Sequence, residues 1–301
     1  MELIAKLQHS DVVIQADNLE VLRLLPSDSV QLVYIDPPFN TGRRQSRQTL
    51  NTKRSSNGDR VGFKGQTYET VKGRLLGYDD EFADYWSFLE SRLSEIHRIL
   101  NPTGTFYLHL DYREVHYAKV LLDLVFGREN FVNEIIWAYD YGARSKRKWP
   151  AKHDNILIYS KTPEGYYFDS RTVDREPYMA PGLVTKEKAE LGKLPTDVWW
   201  HTIVSPTGKE KTGYPTQKPE GILRRIIAAS TRAGDVVVDI FAGSGTTGAV
   251  ARQLDRRFLL VDHNPEAIEV MRHRLGKLKL LDREVEFLHF NERSESHLTT
   301  E

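Results

Sequence analysis

Val236-Val237-Val238-Asp239-Ile240-Phe241-Ala242-Gly243-Ser244-Gly245 is a short apolar run that meets an acid and opens into a glycine turn. An unbroken branched-apolar run of this length reads as a strand buried on both faces, as in a parallel sheet covered by helices. A helix is expected from about Gly245. The glycines let backbone N–H groups approach a ligand closely. Gly-x-x-x-x-Gly-Lys-Ser/Thr is absent, so this is not a phosphate loop. Gly248 follows Gly245 by three residues, but Asp239 would repel a dinucleotide phosphate. An acid there suits a cationic ligand, such as an amino-acid ammonium or a sulfonium. Asp262 ends the next expected strand, Arg257–Asp262, where an acid can accept hydrogen bonds from ribose hydroxyls. Together they predict a nucleoside-type cofactor; a turn made for packing is the alternative.

A second block of the same design lies upstream. The strand Val30–Ile35 ends at Asp36-Pro37-Pro38-Phe39. The prolines stiffen the backbone and remove two N–H donors while their neighbours' carbonyls stay free as acceptors. Beside the Asp36 carboxylate, such a cluster suits an –NH2 group, and Phe39 adds a flat face for stacking. A strand-ending turn with a buried aromatic is the plainer alternative. In open α/β sheets ligands bind at the carboxyl ends of the strands, so Asp36 and Asp239 should line one edge.

Between and around these blocks strands alternate with helices. Strands are expected at Val12–Gln15, Thr105–Leu110, Phe131–Tyr139, Asn155–Tyr159 and Glu286–Leu288. Helices are expected at Asn18–Leu25, from Asp79 to Leu100, around Val115–Val125, at Pro219–Thr231 and at Pro265–Leu280. This rhythm predicts an open, mostly parallel sheet with helices on both faces. Residues 41–78 are polar and without period, which predicts a long mobile loop. Residues 140–212 lose the rhythm and read as a loop-rich insert. The expected organisation is 1–139 and 213–290 as two halves of one core, 140–212 as the insert and 291–301 as a frayed tail.

The 301 residues include no cysteine, which excludes disulfides, thiolate metal sites and a cysteine nucleophile. Histidines are scattered without ligand spacing, and no metal site is expected. No apolar stretch approaches a membrane span and no secretory signal is read, so a cytoplasmic protein is expected. Net charge is zero, yet residues 43–74 carry nine basic residues against Asp59 and Glu69, and Arg144-Ser145-Lys146-Arg147-Lys148 is a second basic knot. Clustered charge on a neutral chain points to a basic face or to two solvated loops. Trp149, Trp199 and Trp200 are read as local core, with wedges against nucleic-acid bases as the alternative.

Asp-Pro-Pro-Phe followed far downstream by Phe-x-Gly-x-Gly resembles the S-adenosyl-L-methionine (AdoMet)-dependent DNA amino-methyltransferases, and this motif order resembles their beta-order group. The resemblance covers about residues 11–290. Asn40-Thr41-Gly42 and Gly77-Tyr78-Asp79-Asp80 are similar to the site-specific adenine enzymes, including modification subunits of restriction systems. It implies a Rossmann-like, seven-stranded methyltransferase sheet with a target-recognition insert. AdoMet is the implied cofactor, without metal. It implies Asp36, Pro37, Pro38 and Phe39 as catalytic residues. Asp36 also belongs to the implied cofactor set, with Asp239, Phe241, Ala242, Gly243, Ser244, Gly245, Thr246 and Asp262. Asp17, in Ala16-Asp17-Asn18-Leu19-Glu20, matches the acid that touches the cofactor adenine. Thr216 and Lys218, in Tyr214-Pro215-Thr216-Gln217-Lys218-Pro219, match the stretch at the methionine end. Phe39 departs from the commoner tyrosine; stacking survives that change, and a hydrogen bond from a tyrosine hydroxyl does not.

The implied partner is double-stranded DNA, with Arg43, Arg44, Arg47, Lys53, Arg54, Arg144, Lys146, Arg147 and Lys148 as contacts. A homodimer and a separately encoded restriction endonuclease are further implied partners. The implied acceptor is a flipped-out base amine, adenine N6 ahead of cytosine N4. Methylation of the cytosine ring carbon needs a cysteine nucleophile and is excluded. RNA or protein-glutamine methylation, and a DNA-binding subunit without chemistry, remain the lesser alternatives.

Overall fold

Side chains alternate between two apolar cores along every central strand. Val33 and Ile35, Phe106 and Leu108, Val238, Leu259 and Val261 enter one core, while Leu32, Tyr34, Tyr107, Val237, Phe258 and Leu260 enter the other. Strands apolar on both faces can be stable only between two helical layers. The computed structural model describes residues 2–39, 85–142, 144–205, 207–278, 283–290 and 298, and the backbone alone at 45–54, 60–61, 67–78 and 299–300.

The chain runs α1 (Glu2–Leu7), β1 (Asp11–Gln15), α2 (Asn18–Leu24) and β2 (Val30–Ile35), then β3 (Gln45–Arg54), β4 (Arg60–Val61) and β5 (Thr67–Tyr78). Next come α3 (Tyr85–Ile99), β6 (Leu100–Asp111), α4 (Val115–Phe126), β7 (Phe131–Ala138), β8 (His153–Ser160), α5 (Lys186–Leu191) and β9 (Val198–Trp200). The last third holds α6 (Glu220–Ser230), β10 (Val236–Asp239), α7 (Thr246–Gln253), β11 (Arg257–Asp262), α8 (Pro265–Gly276), β12 (Val285–Phe290) and β13 (Leu298–Thr300). The main sheet has the order β13-β12-β1-β11-β10-β2-β6-β8-β7-β9. From β12 to β6 all neighbours are parallel. α1–α4 contribute to the first core, and α6–α8 to the second.

The α/β class is as expected, and four details differ. Among the described residues the main sheet has ten strands rather than the seven that the resemblance implies: the eight expected from apolar runs, and the three-residue edge strands β9 and β13, which escape such a search. The stretch 41–78, expected as a loop, contains a hairpin in which β3 pairs with β5, and β5 with β4, antiparallel. Backbone hydrogen bonds hold such a ribbon without the apolar alternation that would betray it. The expected insert 140–212 is not separate from the core. Its β8 lies between β6 and β7, and its β9 extends the sheet edge. In the expected tail, Leu298–Thr300 pairs with β12, and Leu298 is buried.

The topology gathers the functional segments. β2 and β10 are parallel, so Asp36 and Asp239 leave the sheet at one edge. β8 is antiparallel to β6, and β7 antiparallel to β8. The connection 139–152 between them therefore emerges at that same edge. β9 is parallel to β7, so the chain beyond Trp200 returns there as well.

Candidate active site

A cavity of about 330 Å³ lies where β1, β2, β10 and β11 end. Of the expected residues, Asp17, Asp36, Pro38, Thr216, Lys218, Asp239, Phe241, Ala242, Gly243, Ser244, Thr246 and Asp262 line it. Pro37 is buried beside it, and Phe39 is half-buried at the edge of the first core.

The glycine turn is shaped by its neighbours. Gly243 and Gly245 have φ of 49° and 71°, a region that L side chains rarely adopt. A Cβ on Gly245 would also lie 2.7 Å from Met271 Cγ. The Gly243 N–H donates to Asp262 Oδ2 at 2.8 Å, and the Asn264 N–H donates to Oδ1 at 2.9 Å. Asp239 braces the loop too: its Oδ1 accepts from the Phe241 N–H at 3.0 Å and its Oδ2 from the Thr247 hydroxyl at 2.5 Å. Burial, reinforced by the charges of Asp36 and Asp262, outweighs those bonds and pushes the Asp239 carboxyl up to about 7. Burial raises Asp262 as well. Such a group favours a cationic ligand, which would stabilise its carboxylate form.

Asp36 receives the Lys218 ammonium on Oδ2. Its Oδ1 is buried with no hydrogen-bond partner among the described residues. Lys218 Nζ also lies 5.1 Å from the centroid of the Phe39 ring. Asp17 caps α2 by accepting from the Leu19 N–H at 2.8 Å and pairs with Arg92 Nη2 at 3.1 Å. Arg92 donates through Nε to Asn18 Oδ1 at 2.5 Å, and Asn18 Nδ2 donates to the Ile240 carbonyl at 2.9 Å. The lining therefore combines acids, Lys218 and Arg92 with the apolar Phe88, Leu223, Ile240 and Phe241. The donor set fits AdoMet, whose sulfonium and ammonium call for anions and whose carboxylate calls for a cation. Among the described residues no three His, Asp or Glu side chains converge as metal ligands.

The profile of the DNA methylase family, of N6/N4 methyltransferase type, matches residues 30–273. The chain belongs to that family. It is an AdoMet-dependent DNA amino-methyltransferase. This DNA methylase is 30% identical over 257 residues to the type II methyltransferase M.HpaI of Haemophilus parainfluenzae, covering 85% of this chain and 71% of the relative. It is 31% identical over 271 residues to the DNA adenine methyltransferase YhdJ of Escherichia coli K12, covering 87% and 82%. Its fold is similar to the structure of the PvuII DNA methyltransferase (cytosine-N4-specific), with a TM-score of 0.61, 18% identity and coverage of 91% and 89%.

The basic residues expected to contact DNA fall into three groups. Arg43 and Arg44 lie outside the described residues. Arg47, Lys53 and Arg54 lie on β3, where only the backbone is described. Arg144, Lys146, Arg147 and Lys148 are exposed in the connection at the active-site edge. Of the tryptophans expected as core, Trp199 is buried, but Trp149 is 95% and Trp200 73% exposed. Both belong to segments that end at the sheet's functional edge, where no second layer covers them. Asn18, Tyr34, Phe88, Arg92 and Thr247 line the cavity without having been expected there. Arg92 left a signal: it is a charge on the apolar face of α3, between Leu89 and Leu93.

Proposed function

We propose that this methylase transfers the methyl group of AdoMet to the N6 amine of adenine flipped out of double-stranded DNA. The observation that carries this is Asp36: a half-buried carboxylate at the mouth of the cofactor cavity, with one oxygen on Lys218 and the other, itself buried, without a hydrogen-bond partner among the described residues. An exocyclic amine is a poor nucleophile because its lone pair is delocalised into the ring. Asp36 Oδ1 and the carbonyl of Pro37 accept its two hydrogens, which favours the pyramidal nitrogen and stabilises the positive charge that grows there. AdoMet supplies the electrophilic methyl group when bound. Asp239, Thr216, Lys218 and the Phe241–Thr246 loop hold it in line with the amine, so that orientation provides much of the rate. Asp262 accepts from its ribose and Asp17 faces its adenine. Phe39 stacks on the extruded base and offsets part of the few kcal/mol that flipping costs.

Adenine is supported by the likeness to YhdJ, itself named an adenine methyltransferase. The alternative acceptor is cytosine N4. Incubating the protein with labelled AdoMet and plasmid DNA, then digesting to nucleosides and mapping the modified positions, separates them. N6-methyl-2′-deoxyadenosine is expected. N4-methyl-2′-deoxycytidine alone would replace the acceptor, and label in RNA or protein but not in DNA would overturn the proposal.

Arg144, Lys146, Arg147 and Lys148, with the exposed Trp149 and Trp200, contact DNA, and the parts of the insert 140–212 that emerge at the active-site edge choose its sequence. Self-association as a homodimer is supported by Tyr117, Val120 and Leu124, exposed one turn apart on a single face of α4. Pairing with a separately encoded endonuclease is supported by the type II relatives. A cytoplasmic location follows from the DNA substrate.

A further inference from the structure

His109 in β6 has no exposure to solvent, yet it is bonded at both ring nitrogens. Nδ1 lies 2.8 Å from Tyr34 Oη and Nε2 lies 3.2 Å from Asp154 Oδ2, while Asp154 Oδ1 accepts from the Tyr139 hydroxyl at 3.0 Å. Burial pushes the Asp154 carboxyl up, but bonding to His109, the charge of Lys218 and the Tyr139 hydroxyl hold it net below its ordinary value. It is therefore a carboxylate, which only accepts. The hydrogen between His109 and Asp154 therefore sits on Nε2, and the Tyr34 hydroxyl engages the other ring nitrogen, Nδ1. The ring is thereby held at both nitrogens.

The pinned ring lies beside the catalytic turn. The Phe39 centroid is 6.2 Å from that of His109, with an interplanar angle of 35°, and Trp137 closes another side at 5.5 Å. Three apolar side chains would join these strands as firmly, because a buried polar chain must repay its own desolvation. What the polar chain adds is a fixed ring orientation. We propose that His109 and Asp154 are positioning residues for methyl transfer, holding Phe39 at the inclination at which it receives the flipped base. This rests on the reading of Phe39 as the stacking face.

The test compares Asp154→Asn, His109→Gln and Phe39→Ala in the full-length protein. His109→Gln can keep both hydrogen bonds but removes the ring; Asp154→Asn keeps the ring but frees its orientation. The readouts are kcat and KM on plasmid DNA, and the fluorescence of 2-aminopurine placed at the mapped target position of an oligonucleotide. For both positioning variants kcat should fall about ten- to hundredfold, with KM for AdoMet within about twofold of wild type. The 2-aminopurine signal should rise above wild type, because the base is extruded but poorly stacked. Unchanged kcat and fluorescence in either variant overturn the proposal, as does a rise in KM for AdoMet that matches the loss of kcat. If neither variant folds, Tyr139→Phe removes a single bond to Asp154; a smaller fall in kcat with brighter fluorescence supports the proposal, and no change overturns it. Phe39→Ala without effect on either readout sinks the stacking reading itself. An effect of Phe39→Ala alone sinks only the role of His109 and Asp154.

Discussion

Two carboxylates of one cavity are prepared for different tasks. Asp36 keeps one oxygen on Lys218 and one without a partner among the described residues, which leaves it an acceptor for an amine. Asp36→Ala removes that acceptor while the glycine loop stays intact. Turnover should fall at least ~10³-fold, while AdoMet still binds in calorimetry; retained turnover would refute the assigned role. Asp239 is instead held at the border of protonation, pushed up to about 7 mainly by burial. The folded protein without ligand retains a proton there that an unfolded aspartate has already released. Stability should therefore fall as pH rises from about 4 to about 7, by on the order of 4 kcal/mol, and level off above that. Urea titrations at pH 5, 6, 7 and 8 should show this slope in the wild type and its loss in Asp239→Asn. Parallel curves would remove Asp239 as the cause.

The turn before α7 shows why such elements are legible in sequence. An apolar run, an acid and two glycines stand together, and each has a local physical cause. Gly245 has a left-handed backbone and no room for a Cβ against Met271. Gly245→Ala should cost about 1–3 kcal/mol, read as a lower Tm, and should raise KM for AdoMet because the loop lines the cavity; an unchanged Tm would deny the constraint. The Asp36-Pro37-Pro38-Phe39 turn is legible for the same reason. β3 and β5 are not, since their hairpin depends on backbone pairing in a polar sequence. β13 is three residues long and becomes visible only beside β12. The chain Tyr34–His109–Asp154–Tyr139 draws on four strand-associated positions far apart in sequence. No spacing rule within one element could assemble it. Arg92 was half legible: its place on an apolar helix face marks a buried charge, but its partners Asp17 and Asn18 come from another helix.

At the scale of the whole molecule, the order of strands decides where charge acts. The chain carries 42 basic and 42 acidic residues, so its mean field cannot draw it to DNA. What can is placement. The connection between β7 and β8 must emerge at the edge where Asp36 ends β2, because β8 runs against β6 and β7 against β8. Arg144, Lys146, Arg147 and Lys148 are exposed in that connection. Each phosphate they neutralise releases condensed counterions, which makes affinity fall with salt at a slope of about −0.9 per contact on duplex DNA. Replacing all four by serine should flatten the slope of log K against log salt by about 3–4 and weaken DNA binding at low salt. AdoMet binding should not change, since the cavity lies at the ends of β1, β2, β10 and β11 and contains none of the four. Fluorescence anisotropy with a labelled duplex at 50 to 300 mM salt, roughly the range over which such contacts are screened out, would measure both effects. An unaltered slope would mean that these cations face solvent, and would move the phosphate contacts elsewhere on the same edge.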